Sequence, residues 1–176
     1  MALILGIDPG SQTTGYGVIS ATANRLQYVT SGCIRLRDSD HGQRLKQLFR
    51  ELSALIVEFQ PVECAIEEVF VGKNVASALK LGQARGCAMV ACLHQDMSVH
   101  EYSARKVKQA LTGSGAADKT QVQHMVKILL GVSGVLQQDA GDALAIAICH
   151  ANTRDSLARM QQTGGFRGGR LQGPGR

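Results

Sequence analysis

The sequence predicts an α/β fold, on three observations. A short apolar run, Leu3-Ile4-Leu5, reads as a buried strand that ends on Asp8, and Pro9-Gly10 turns the chain into a second strand over residues 14–19 running back beside it. Apolar residues at 45, 48, 49, 52, 55, 56 and 59 then recur at the spacing of an amphipathic helix. After that helix a second buried run, Cys64-Ala65-Ile66, again ends on acid, Glu67-Glu68. Strands joined through such a helix are expected to be parallel, by a right-handed crossover, so their C-terminal ends lie side by side where open α/β sheets bind ligands. Asp8 meets Glu67 or Glu68 there. Neighbouring strand residues face opposite ways, so only one of the two joins it, and the pattern leaves that choice open.

The other elements follow in order. Residues 26–36 alternate loosely as a third strand, closed by Asp38-Ser39-Asp40, and Gln60-Pro61 stops the first helix. After a loop over 69–74, residues 75–94 form a helix rich in alanine and other small residues, suited to tight internal packing or to a subunit interface. Residues 98–102 make a last short strand, and Ser103 caps a short basic helix containing Arg105, Lys106 and Lys108. Gly113-Ser114-Gly115 breaks the chain, and Asp118 caps a helix with a core face of Val122, Val126, Leu129 and Leu130. The segment from Asp139 to Ile146 opens a final helix that Asp139 caps. From Arg154 the chain turns to Gly, Gln and Arg without periodicity. Residues 1–153 are thus expected to be one domain and 154–176 a disordered basic tail adding salt-sensitive DNA affinity.

Composition narrows the class. At 176 residues the chain suffices for one substantial core. No apolar run approaches the roughly 18 residues of a membrane span, and the N-terminus has no signal-peptide pattern. Five scattered cysteines without a C-x-x-C suggest reduced thiols in the cytoplasm, not disulfides or zinc. Of the net charge of +5, the segment from Arg154 carries five arginines against one acid, so the body is nearly neutral. Any polyanion site in the body must come from local grouping: Lys73, Lys80 and Arg85, then Arg105, Lys106 and Lys108, then Lys119 and Lys127.

Asp139 and Asp142, three residues apart, share a helix face one turn from its N-terminus. Carboxylates converging from two strand ends and that helix would repel one another unless cations lay between them. Oxygen-only ligands suit Mg²⁺ or Mn²⁺, and a pair of such ions is the clamp used in phosphodiester cleavage. Gly113 to Thr120 looks like a phosphate-binding loop, but Asp118 stands where the glycine before the lysine is needed, and no buried strand precedes it. Phe70, just past the acidic strand end, is either a core plug or a platform for a base to stack on.

Several blocks resemble the RuvC-type Holliday-junction resolvases: Gly6-Ile7-Asp8-Pro9-Gly10 with Thr14-Gly15-Tyr16-Gly17, Ala65-Ile66-Glu67-Glu68-Val69-Phe70, Ser77 to Gly86, Val107-Lys108-Gln109, Asp118-Lys119 with Gln121-Val122-Gln123, and Asp139 to Ala147. They fall in the family's order across about residues 3 to 150. The resemblance implies an RNase H-like fold with a five-stranded mixed sheet flanked by helices. It places the family's strand-end acid on Glu67 and makes Asp8, Glu67, Asp139 and Asp142 the carboxylates that hold two Mg²⁺ ions per site, Mn²⁺ substituting. It also implies that Phe70 stacks on the junction and that Lys108 and Lys119 serve DNA binding and catalysis. A homodimer through the 75–94 helix, four-way junction DNA as substrate, and partnership with the RuvA and RuvB branch-migration complex are implied likewise. Gln12 and Ala116 depart from the family pattern, where arginine and a polar or basic residue are common. Two rivals from other classes are a junction-binding dimer that does not cut and a fragment of an actin-like ATPase. The latter shares the hairpin but needs a second domain and a second phosphate loop.

Overall fold

The computed structural model describes residues 2–22, 25–69 and 74–162. Five strands, β1 (Ala2–Asp8), β2 (Thr13–Thr22), β3 (Arg25–Arg35), β4 (Glu63–Glu67) and β5 (Ser98–Tyr102), form one sheet in the order β3-β2-β1-β4-β5. The β1–β2 and β2–β3 pairs are antiparallel, while β1–β4 and β4–β5 are parallel. The mixed five-stranded sheet is therefore present, and the crossover through α1 (His41–Phe59) gives the parallel pair that the sequence predicts.

Helices cover both faces. On one, α1 and α2 (Val75–Leu93) pack Leu48, Leu52, Ala84 and Ala88 against Leu5, Ile7, Cys64 and Ile66. On the other, α3 (Ala104–Thr112), α4 (Lys119–Leu130) and α5 (Gln138–Gln162) pack Val107, Val126 and Leu144 against Ile4, Ile19 and Ala65. The alternation along each strand decides where the acids point. Leu5 and Ile7 face α1 and α2, which leaves Ile4, Gly6 and Asp8 on the α5 face. In β4, Cys64 and Ile66 face α1 and α2, which sends Ala65 and Glu67 to the α5 face as well. With Ile7 paired to Ile66 in parallel register, Glu67 is the acid beside Asp8, and exposed Glu68 lies off it.

Four local expectations change. Helix α1 starts at His41, before the apolar stripe, because the Asp40 carboxylate caps it by accepting from the Gln43 amide at 2.8 Å. In α4 the core face is Val122, Val126 and Leu130, while Leu129 is 38% exposed. Asp139 lies in the first turn of α5 and does not precede it as a cap. The disordered tail expected from Arg154 is corrected as well: α5 continues to Gln162, and the rest of that segment lies outside the described residues. Leu157, Ala158, Arg159, Met160 and the glutamines are good helix formers, and tertiary contacts anchor the helix upstream of them. Arg154 and His150 both reach the Glu63 carboxylate at the start of β4, at 3.0 and 3.1 Å. Because a carboxylate only accepts, His150 donates from Nε2, and its Nδ1 accepts from the Tyr102 hydroxyl at 2.7 Å. Sequence periodicity does not register such long-range partners.

Helix α5 lies against β1 and β2 at near-contact distance. A Cβ added at Gly15 would come 2.0 Å from the Asp139 carbonyl oxygen, so only glycine lets the helix start that close to the hairpin. Gly15→Ala should therefore push the Asp139 end of α5 off the sheet. We expect a cost of about 1–3 kcal/mol, read as a midpoint several degrees lower in thermal denaturation. An unchanged midpoint would show that the hairpin and helix yield freely there.

Candidate active site

Asp8 ends the central strand, which is buried from Ile4 to Ile7, and the turn after it is tied down. Thr14, fully buried, donates its hydroxyl to the Gly10 carbonyl at 3.1 Å and accepts from the Gly10 amide at 3.3 Å. Glu67 ends the neighbouring parallel strand, and α5 brings in Asp139 and Asp142 from its first two turns. One carboxylate oxygen each from Asp8, Asp139 and Asp142 lies within 4.8 Å of the others. This is the one such cluster of His, Cys, Asp and Glu among the described residues. Glu67 joins Asp8 and Asp142 in lining a cavity of about 280 Å³, with Lys108 and Lys119 on its wall.

The electrostatics follow from crowding. Burial, then the charges of Glu67, Asp142 and Asp139, push the Asp8 carboxyl up to about 7, and Lys119 opposes them only in part. The Glu67 carboxyl is raised too, by burial and by Asp142, against Lys119 and Lys108. Lys119 Nζ stands 3.5 Å from Asp142 Oδ2 and is largely exposed, so it screens weakly. The site is short of positive charge. An all-oxygen donor set with that deficit fits a hard divalent cation such as Mg²⁺ or Mn²⁺ and does not fit zinc, which prefers nitrogen and sulfur.

The structure sorts the other sequence-predicted residues. Lys108 and Lys119 face the carboxylates. Lys106 lies over the Tyr102 ring at 4.8 Å, and Lys80 is exposed on α2. Arg85, grouped by sequence with the DNA-facing cations, spends its guanidinium within the protein. Its Nε donates to the Glu67 carbonyl at 2.9 Å, and its terminal nitrogen pairs with Glu101. Phe70 and Lys73 lie outside the described residues. The phosphate-loop look-alike is a helix cap: Asp118 accepts from the Gln121 amide and Gln121 answers at the Asp118 amide, which takes up α4's leading N–H groups. Sequence reading gave no role to Gln123, whose side-chain amide donates to Asp142 Oδ1 at 2.9 Å. The available signal was its place one turn after Lys119, on the same helix face.

The raised Asp8 pKa carries a sign. Between about 4 and 7 the metal-free folded chain holds a proton on Asp8 that the unfolded chain has lost, so stability falls as pH rises through that window. Asp8→Asn removes the penalty. In chelator at pH 8 it should stabilise the protein by an amount on the order of 4 kcal/mol at most, a gain that disappears by about pH 4. Denaturant melts across pH measure this, and a pH-independent difference would contradict it.

Comparison with known proteins identifies the family and the fold. The family model described as crossover junction endodeoxyribonuclease RuvC matches residues 4–150. A crossover junction endodeoxyribonuclease RuvC from Marinobacter nauticus is 55% identical, over 99% of this chain and all of its own length. One from Photobacterium profundum is 58% identical, over 91% of this chain and 92% of its own. The solved structure of T. thermophilus RuvC in complex with Holliday junction substrate superposes with a TM-score of 0.84 at 29% identity, covering 89% of this chain and 97% of that one. The fold is thus the RNase H-like one that the resemblance implies. With family model, relatives and structure agreeing over nearly its whole length, the chain belongs to the RuvC family of crossover junction endodeoxyribonucleases.

Proposed function

We propose that this protein is a metal-dependent, structure-selective endonuclease that resolves four-way DNA junctions by hydrolysing two strands of like polarity. The observation that carries this reading is the clustering of Asp139 with Asp8 and Asp142, beside a small cavity that Asp8, Asp142 and Glu67 line together with two lysines. Its family, and a relative of known structure with a Holliday junction bound, support the substrate. Asp8, Glu67, Asp139 and Asp142 would hold two Mg²⁺ ions, or Mn²⁺ in their place. Bound there, such ions would supply Lewis acidity, lowering the pKa of a water and offsetting charge developing on the phosphate. Lys119 adds positive charge beside the reacting phosphate, and Lys108 holds the strand. Phe70, Lys73, Lys80 and Lys106 would carry further DNA contacts. Five unpaired cysteines fit work in the reducing cytoplasm, and among the described residues no helix is long and apolar enough to cross a membrane. The RuvA and RuvB branch-migration complex would be its partner there.

A two-fold dimer suits a junction of near two-fold symmetry. Helix α2 supports one, because its outer face carries an unpaired apolar stripe at helical spacing. Val75 and Leu79 are each 64% exposed, Val90 is 56% and Leu93 54%, and Gly82 and Gly86 between them face open space. We expect Leu79→Glu to sediment as a monomer at concentrations where the wild type is dimeric; an intact dimer would move the interface elsewhere.

Cleavage of a synthetic mobile four-way junction in Mg²⁺ tests the central reading. Asp8→Asn should bind the junction as the wild type does and cut it at least about 10³-fold more slowly, the scale of losing roughly 4 kcal/mol of transition-state stabilisation. Wild-type cutting by that variant would refute it.

A further inference from the structure

We propose that Gln123 is a positioning residue for the metal-binding carboxylates. This rests on the nuclease reading above. Its side-chain nitrogen donates to Asp142 Oδ1 at 2.9 Å and to the Gln138 carbonyl at 3.1 Å. Both partners are acceptors only, so the amide's nitrogen is the end that must face them. One side chain thereby ties helix α4 to the first turn of α5 and fixes the rotation of the Asp142 carboxylate. Asp142 is then held from two sides, by Gln123 at Oδ1 and by Lys119 at Oδ2. Each oxygen keeps a second lone pair for a cation.

The packing shows that the fit is specific. Gly141 precedes Asp142, and a Cβ added there would fall 2.0 Å from Gln123 Oε1 and 2.5 Å from its nitrogen. The amide therefore lies against the bare backbone of α5, in a space a larger residue would fill. Gly141, Gln123 and Asp142 make one unit, in which the glycine admits the amide and the amide sets the carboxylate. Outer partners of metal ligands of this kind change metal affinity or activity by about 10- to 100-fold when lost.

The test is Mn²⁺ binding by calorimetry on the full chain without DNA, beside junction binding in chelator and thermal denaturation. Gln123→Met keeps the side chain's length and removes the donor. Its Mn²⁺ affinity should fall by about tenfold or more, with junction affinity within about twofold of wild type. Mn²⁺ affinity equal to that of the wild type would overturn the proposal, and weaker junction binding with normal Mn²⁺ affinity would make Gln123 a DNA contact instead. A wild type that binds no Mn²⁺ would overturn the nuclease reading and this proposal together. Should the methionine variant melt near the assay temperature, Gly141→Ala displaces the amide from the other side. Combined with Gln123→Met it should cost little more than either change alone, and fully additive losses would refute the shared unit.

Discussion

Carboxylates placed within a few ångströms of one another resist being charged together, and burial sharpens the resistance. At the parallel end of this sheet that cost is accepted and only partly relieved. Lys119 and Lys108 stand on the wall of the cavity, yet the Asp8 carboxyl still titrates near neutrality. The N-terminus of α5, which carries Asp139 and Asp142, lies in the same region and adds a fraction of a positive charge. Cations and a phosphate can complete what the protein leaves unfinished. The fold is thus an arrangement for keeping negative charge concentrated until its partners arrive.

Keeping it concentrated needs stiffness, since repelling groups move apart wherever they can. Each acid is held through something other than its own flexible side chain. Asp8 ends a strand buried from Ile4 to Ile7, and the turn after it is locked by Thr14. The main chain at Glu67 is gripped by Arg85 from α2. Asp139 and Asp142 ride on a helix pressed against glycine in the hairpin, with Gln123 bracing the second of them. The sheet, α2, α4 and α5 each contribute one support, and α3, α4 and α5 line the cavity on one face of the sheet.

Much of this was legible in the residues because it rests on local pattern. Period-two and helical spacing gave the strands, the crossover and the acids at strand ends. Resemblance picked Glu67 over Glu68, and strand alternation shows why. What pattern missed depends on distant partners. Arg85 looked like a surface cation until its guanidinium met Glu67 and Glu101, and Gln123 looked like a polar helix residue until α5 came within reach of it. The end of α5 was missed for the same reason, since Glu63 anchors Arg154 across a separation of 91 residues. A local window does not see charges that meet only after folding.

That long final helix has a geometric consequence. It begins among the carboxylates at the C-terminal end of β4 and passes Glu63 at that strand's opposite end, rising about 1.5 Å per residue. Gln162 therefore stands roughly 30 Å from Asp142 along a nearly continuous rod. Arg159, in its last turn, is therefore carried well past Glu63 and away from the cavity. The carboxylates and the arginine of the helix's last turn are spaced by a ruler. Its last turns run on past the sheet as exposed helix, and a kink there would change that spacing while leaving every carboxylate in place.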